Sequence, residues 1–202
     1  MDGKMTDGVG RPLVRLYLGC GEVWKPGWTN VDVRKPRSFN ETEPDTSFVS
    51  CDVLDLGSRF APETVDQIRA EMLIEHIPQS QVPDFLYQCW NVLRPGGRLE
   101  LLTVDFGAIA KEYHIMHDIE AKYNRSLFES MAHILLNSFA GMRVEDSHKS
   151  LQCRSYLQDI LESEAFTDIQ FRVSGTRHWG LIVSARKGEH VDRSSLRQVD
   201  YF

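Results

Sequence analysis

Arg15-Leu16-Tyr17-Leu18-Gly19-Cys20-Gly21 is a short apolar run that ends in two glycines. The next short apolar run, Asn30-Val31-Asp32-Val33, is closed by an acid, Asp32. The first run reads as a buried strand that opens at its carboxyl end into a loop with little side-chain bulk. Glycines there let the backbone take positive φ and approach a ligand closely. A carboxylate at the end of the neighbouring strand can accept two hydrogen bonds from a ribose diol. That is how open α/β sheets hold nucleosides, at the carboxyl ends of their strands. The dinucleotide fingerprint needs a third glycine at position 24, where this chain has Trp24. Its absence argues against a pyrophosphate on a helix end and for adenosine without phosphates.

The 202 residues fit one domain able to bury a sizeable core. Net charge is −6 with no block of like charges, which argues against nucleic acid as a partner. No apolar run approaches the ~20 residues that cross a bilayer. The N-terminal Met1-Asp2-Gly3-Lys4-Met5-Thr6-Asp7 lacks the apolar centre of a secretory signal. Cys20, Cys51, Cys89 and Cys153 are widely spaced, with no Cys-x-x-Cys pair. They read as reduced thiols of a cytoplasmic protein rather than a disulfide frame or a zinc site.

Outward from the first strand, only ten residues separate Gly21 from Asp32, and they include Pro26 and Gly27. A parallel crossover normally takes a dozen or more residues, usually with a helix, so this link is mostly loop. Residues 34–47 are rich in turn formers and carry no periodicity. Phe48 to Val53 reads as a third strand and Val65 to Ala70 as a fourth. Ser80 is placed to cap a helix running to Leu93, whose Phe85, Leu86, Cys89, Trp90 and Leu93 recur at helical spacing. Arg94-Pro95-Gly96-Gly97 stops that helix, and Arg98 to Val104 is the fifth strand, with Asp105 at its end. Residues 107–140 are helical in composition and long for a crossover. An amphipathic helix over 151–165 and a hairpin of Ile169–Val173 with Leu181–Ala185 complete one α/β domain spanning 1–202, with its core at 14–187.

The order of these pieces resembles the class I S-adenosylmethionine-dependent methyltransferases, over roughly residues 14–187. Val92-Leu93-Arg94-Pro95-Gly96-Gly97-Arg98-Leu99 is similar to that family's helix-to-strand turn. Asp66 followed by Leu73-Ile74-Glu75-His76-Ile77-Pro78 resembles its segment after strand four. Ser147-His148-Lys149-Ser150, the helix after it and Glu164-Ala165-Phe166-Thr167-Asp168-Ile169 resemble its last helix and following strand. The resemblance implies a doubly wound, mostly parallel seven-stranded sheet, Rossmann-like, with an antiparallel last strand and a helical insert after strand five.

It also implies that S-adenosylmethionine is bound, with its methionine part at Leu18, Gly19, Cys20 and Gly21. Asp32, followed by Val33, would hold the ribose, and Asp52 the adenine amino group, with Val53 against the ring. Glu71 and Met72 would line the cofactor near its methyl group. Asp105, His148 and His114 are the candidates for catalysis at the acceptor, and residues 107–140 would form a lid. The acceptor would be a hydroxyl or amine of a small molecule, a metabolite or sugar, methylated by a monomer or homodimer. Two alternatives stand beside this reading: a cofactor-binding but inactive partner protein, and an aminopropyl transferase using a related sulfonium.

Other residues take plainer readings. Cys20 is a small loop residue rather than a nucleophile, since no histidine partner is evident from spacing. Glu75 and His76 could form an acid–base pair, but the resemblance implies that they fix the helix behind the sheet. Glu112, His114, His117 and Asp118 read as a solvated helix face, so no metal site is expected. Trp24 and Trp28 read as a packed aromatic loop before they read as an acceptor platform.

Overall fold

A computed structural model describes residues 6, 8, 10–111, 147–174 and 179–189. The elements run β1 (Arg15–Leu18), β2 (Thr29–Asp32), β3 (Ser47–Ser50), β4 (Val65–Glu71), α1 (Val82–Val92), β5 (Leu93–Val104), α2 (Arg154–Ser163), β6 (Phe166–Val173) and β7 (Gly180–Lys187). They form a seven-stranded sheet in the order β3-β2-β1-β4-β5-β7-β6. The first five strands are mutually parallel. β7, the last in the chain, runs antiparallel between β5 and β6. The fold class is the one expected.

One face of the sheet is apolar. Leu16 and Leu18 of β1, Ile68 and Ala70 of β4, Leu99 and Leu101 of β5, and Val183 and Ala185 of β7 all belong to a single buried cluster. The two-residue period of a strand puts these positions on a common face. α1 packs Phe85, Leu86 and Cys89 into the same cluster, and α2 packs Leu157, Ile160 and Leu161 there. Each such side chain contributes roughly 1.5–3 kcal/mol by leaving water.

The alternate residues carry charge. Glu100 of β5 is 6% exposed and meets Arg69 at 3.0 Å, Arg98 at 3.1 Å and Arg172 at 3.2 Å. Glu71 is held by Lys25 at 3.0 Å and by Arg69 at 2.6 Å. α1 and α2 therefore cover the same face. The links that would supply helices to the other face, residues 19–28 and 33–46, carry none. Asn30, fully buried, tightens the first of these links. Its side chain accepts from Lys25 N–H at 2.7 Å and donates to the carbonyls of Lys25 and Trp28.

Several boundaries differ from the sequence expectation. Ser80 is not a helix cap: Gln79–Gln81 form a 3₁₀ turn, and α1 starts at Val82 without a side-chain cap. Pro83 sits in the first helical turn, where its missing N–H would have had no helical partner anyway. The third strand stops at Ser50 because the Asp52 carboxylate accepts from Leu54 N–H at 2.9 Å and starts a 3₁₀ helix, Val53–Ser58. β5 pairs with β4 already at Leu93, opposite Val65. It interrupts this at the Arg94–Gly97 turn, where Gly96 has φ +72°, and resumes at Arg98 opposite Gln67. The expected insert lies almost wholly outside the described residues: 106–111 are helical, and the remainder of 107–140, His114 included, is not described.

Candidate functional site

The parallel strands end along a common edge, and the segments leaving β1 to β5 gather there. At the β1 end, Gly19 and Gly21 take φ of +63° and +51°. The two glycines do different things. A Cβ on Gly19 would lie 2.6 Å from Cδ1 of Leu73, so this glycine makes room for the segment after β4. A Cβ on Gly21 would meet nothing within 4 Å, so the open side of the loop is at Gly21. The loop is tied to β2 by Gly19 N–H donating to the Val31 carbonyl at 2.8 Å.

Asp32, the last residue of β2, faces this opening. Gly21 N–H donates to its Oδ2 at 2.9 Å and Arg34 N–H to its Oδ1 at 3.2 Å. Each carboxylate oxygen keeps a further lone pair for a hydroxyl. Val33 beside it is 60% exposed, an apolar side chain at the mouth. Asp52 and Val53 follow β3 at the same edge, with Cys51 N–H donating to the Asp32 carbonyl at 3.0 Å. The open side of the loop at Gly21, the strand-end carboxylate of Asp32 and the exposed Val33 share one mouth with room for a ligand.

Cys20 is 3% exposed, and burial, with Asp32 close by, pushes its thiol up to about 12. It stays protonated at neutral pH and is no nucleophile. Glu71 closes β4; burial pushes its carboxyl up, but hydrogen bonds and charge from Lys25 and Arg69 outweigh this and hold it below the usual range. Met72 has φ +53°, and its N–H donates to the Leu102 carbonyl at 2.7 Å. Trp24 donates its indole N–H to the Ser38 carbonyl and stands edge-on to Phe39, 5.3 Å between centroids, which in turn meets Phe48. Trp28 lies under the Arg15 guanidinium. Both tryptophans are packed into the loop.

At the β4–β5 end the structure brings together residues far apart in sequence. Glu75 is 1% exposed, and Thr103 of β5 donates to its Oε2 at 3.0 Å. Its backbone carbonyl accepts from Lys149 N–H at 2.7 Å and Ser150 N–H at 3.2 Å. The Ser150 hydroxyl donates to the Ile74 carbonyl, Gln152 Nε2 donates to that hydroxyl, and Leu151 N–H donates to Gln79 Oε1. This stitching sets His148 edge-on to His76, 5.1 Å between ring centroids, with His76 Nδ1 at 3.3 Å from the Ser147 carbonyl. Burial, and then the neighbouring His76, lower the His148 pKa from its ordinary value.

Asp105 has a structural task at this end. Its Oδ1 accepts from Ala108 N–H at 3.1 Å, starting the helical turn at 106–111, and its Oδ2 lies 3.8 Å from Arg154. The sequence reading missed Asn30, Thr103 and Gln152. Asn30 was visible as a polar residue inside an apolar strand run. Thr103 and Gln152 gave no comparable signal, because their partners are remote in the chain.

Residues 16–101 match the family model described as a methyltransferase domain. No curated protein matches the chain. Among solved structures, an S-adenosylmethionine-dependent methyltransferase from Archaeoglobus fulgidus is 13% identical, with a TM-score of 0.57 over 87% of this chain and 86% of that one. Another, from Methanosarcina mazei, is 15% identical with a TM-score of 0.55, over 87% and 92%. The 1,6-didemethyltoxoflavin-N1-methyltransferase of Burkholderia thailandensis, with bound 1,6-didemethyltoxoflavin and S-adenosylhomocysteine, is 16% identical with a TM-score of 0.58, over 90% and 73%. The chain spans only 63% and 49% of two other matched structures, a Bordetella parapertussis protein and the CurJ carbon methyltransferase. Among the described residues no helix is long and apolar enough to cross a membrane. Over residues 16–101 the chain is therefore similar to the methyltransferase-domain family, and its fold is that of the S-adenosylmethionine-dependent methyltransferases it resembles.

Proposed function

We propose that this chain, acting in the cytoplasm as one domain over 14–187, transfers a methyl group from S-adenosylmethionine to a hydroxyl or amine of a small molecule. The observation that carries the reading is the open cradle at Gly21 beside the Asp32 carboxylate and the exposed Val33. When bound, S-adenosylmethionine supplies an electrophilic methyl on a sulfonium, whose leaving group is neutral.

Asp32 accepts hydrogen bonds from the ribose hydroxyls, Asp52 from the adenine amino group, and Val33 and Val53 flank the ring. Leu18, Gly19, Cys20 and Gly21 border the methionine part, and Glu71 and Met72 lie towards the methyl. Asp105 and His148 stand on the acceptor side. The protein's main work is alignment: a nucleophile held at ~3 Å in line with the breaking bond, with water excluded. The Burkholderia enzyme and a phosphoethanolamine methyltransferase from Haemonchus contortus, solved with phosphomonomethylethanolamine, take small acceptors on the same fold. That supports a metabolite over a nucleic acid, as does the net charge of −6. The free thiols Cys20, Cys51, Cys89 and Cys153 suit a reducing compartment.

The test is calorimetry with S-adenosylhomocysteine, followed by transfer of labelled methyl into fractionated cell extract. Binding with label in the small-molecule fraction supports the proposal. Binding without any transfer supports an inactive partner protein, and label confined to RNA or protein overturns the acceptor class.

A further inference from the structure

The acceptor end contains a grouping that cofactor binding does not use. Glu75, His76 and His148 each present one potential ligand atom, and these atoms lie within 4.8 Å of one another. Donors sharing one zinc-sized ion at about 2.1 Å are at most about 4.2 Å apart, so small side-chain rotations would close the set. We propose that Glu75, His76 and His148 form a binding site for a divalent transition-metal cation of the zinc type, placed beside the methyl acceptor.

Three features of the geometry argue for this. The donor set is two imidazoles and a carboxylate, the pattern that binds zinc with one coordination position left open, and one that hard ions such as Mg²⁺ do not favour. The outer contacts are those that orient metal ligands. His76 Nδ1 lies against the Ser147 carbonyl, which turns Nε2 into the lone-pair donor, and Thr103 fixes the Glu75 carboxylate by donating to Oε2. The site is also pre-organised. The backbone bonds from Lys149 and Ser150 to the Glu75 carbonyl, and from the Ser150 hydroxyl to that of Ile74, hold the two ligand segments together across more than seventy residues of chain. The sequence alone points to no metal site, because His148 lies more than seventy positions from Glu75 and His76.

The role of the ion rests on the methyltransferase reading; its binding does not. With three protein ligands, one coordination position is left open for an acceptor atom. A hydroxyl oxygen bound there would lose its proton to solvent more readily and be held for attack on the methyl carbon. This favours acceptors whose nucleophile is an oxygen, above all a phenol or a vicinal diol, over amines.

The experiment titrates the metal-stripped full chain with Zn²⁺ in competition with a chromogenic chelator, and with Co²⁺ followed by its visible d–d absorption. One tight equivalent and an absorption of tetrahedral or five-coordinate type are expected. His76→Ala and His148→Ala should each weaken binding at least about tenfold, and Thr103→Val by about 10–100-fold as a change in an outer contact. Circular dichroism checks that each variant is folded, and both histidines are only half-buried. Absence of a tight equivalent, or unchanged affinity in a folded His148→Ala, overturns the site. S-adenosylhomocysteine binding is measured on the same wild-type sample. Its failure would count against the methyltransferase reading and leave the metal result to stand alone.

Discussion

The two ends of the strand edge are built differently. At the β1–β3 end the hydrogen bonds around Asp32 are local: Gly21 to Asp32 spans eleven positions, and Cys51 meets Asp32 from nineteen away. At the β4–β5 end, Thr103 reaches Glu75 across 28 positions and Ser150 reaches Ile74 across 76. The first end is a pair of strand-to-loop turns that a short sequence window encodes. The second exists only once the sheet and the segment 147–152 have come together. A site of the first kind suits a constant ligand such as a cofactor. A site of the second kind can be rebuilt by changing remote segments, which suits an acceptor that varies between relatives.

The largest expected effect tests whether the two ends are coupled through Leu73. Gly19→Val forces a β-branched side chain into a left-handed backbone, at about 1–2 kcal/mol, and into Leu73, at about 1–3 kcal/mol. Thermal melting should fall sharply and S-adenosylhomocysteine binding should be lost. Gly21→Ala meets open space and should show only the backbone cost. Equal losses of stability in the two variants would erase the distinction drawn between these glycines.

Asp32→Ala should weaken S-adenosylhomocysteine binding by ~1.5–3 kcal/mol, the range for hydrogen bonds to a charged group. An unchanged dissociation constant by calorimetry removes Asp32 from the site. Thr103→Val is the counterpart at the other end. It takes a donor from a buried carboxylate and should cost ~1–3 kcal/mol of stability in urea unfolding. Its change in S-adenosylhomocysteine affinity should be smaller than that of Asp32→Ala. If Thr103→Val proves the more damaging to cofactor binding, the two ends are one site and the contrast fails.

The smallest effect serves as a control on the opposite edge. Asp66, near the start of β4, accepts from Val14 N–H and both Arg11 guanidinium nitrogens, with Arg94 3.4 Å away. Burial pushes its carboxyl up, but the Arg11 hydrogen bonds and the Val14 N–H outweigh it and leave the pKa below the ordinary 3.8. A depressed folded pKa means that the contribution is fully present above the unfolded value and is lost as pH falls through the folded one. Asp66→Asn should therefore flatten the acid side of the stability–pH curve below about pH 4, leaving both ends of the carboxyl edge as they are. An acid limb identical to wild type would show that Asp66 carries none of it.

The sequence was most legible where side-chain pattern and neighbour distance coincide. Leu16, Leu18, Phe85, Leu86 and Cys89 declared their burial by period, and each sits in the core. Helix and strand ends were less legible, since Ser80 satisfied a capping rule that the Gln79–Gln81 turn overrode. Trp24 and Trp28 read first as a packed aromatic loop, and the structure spends both on loop packing.

By itself the sequence determined the sheet class, the glycine loop and the acid that closes β2, because each is a matter of residues a few positions apart along one strand or turn. Only the tertiary structure decided that Gly19 makes room for Leu73 while Gly21 faces open space. Likewise only the folded chain set Asp105 as a helix cap and brought Glu75, His76 and His148 together. Those outcomes depend on how separate strands register and how a remote segment packs across their ends, and no local window of the chain contains that information.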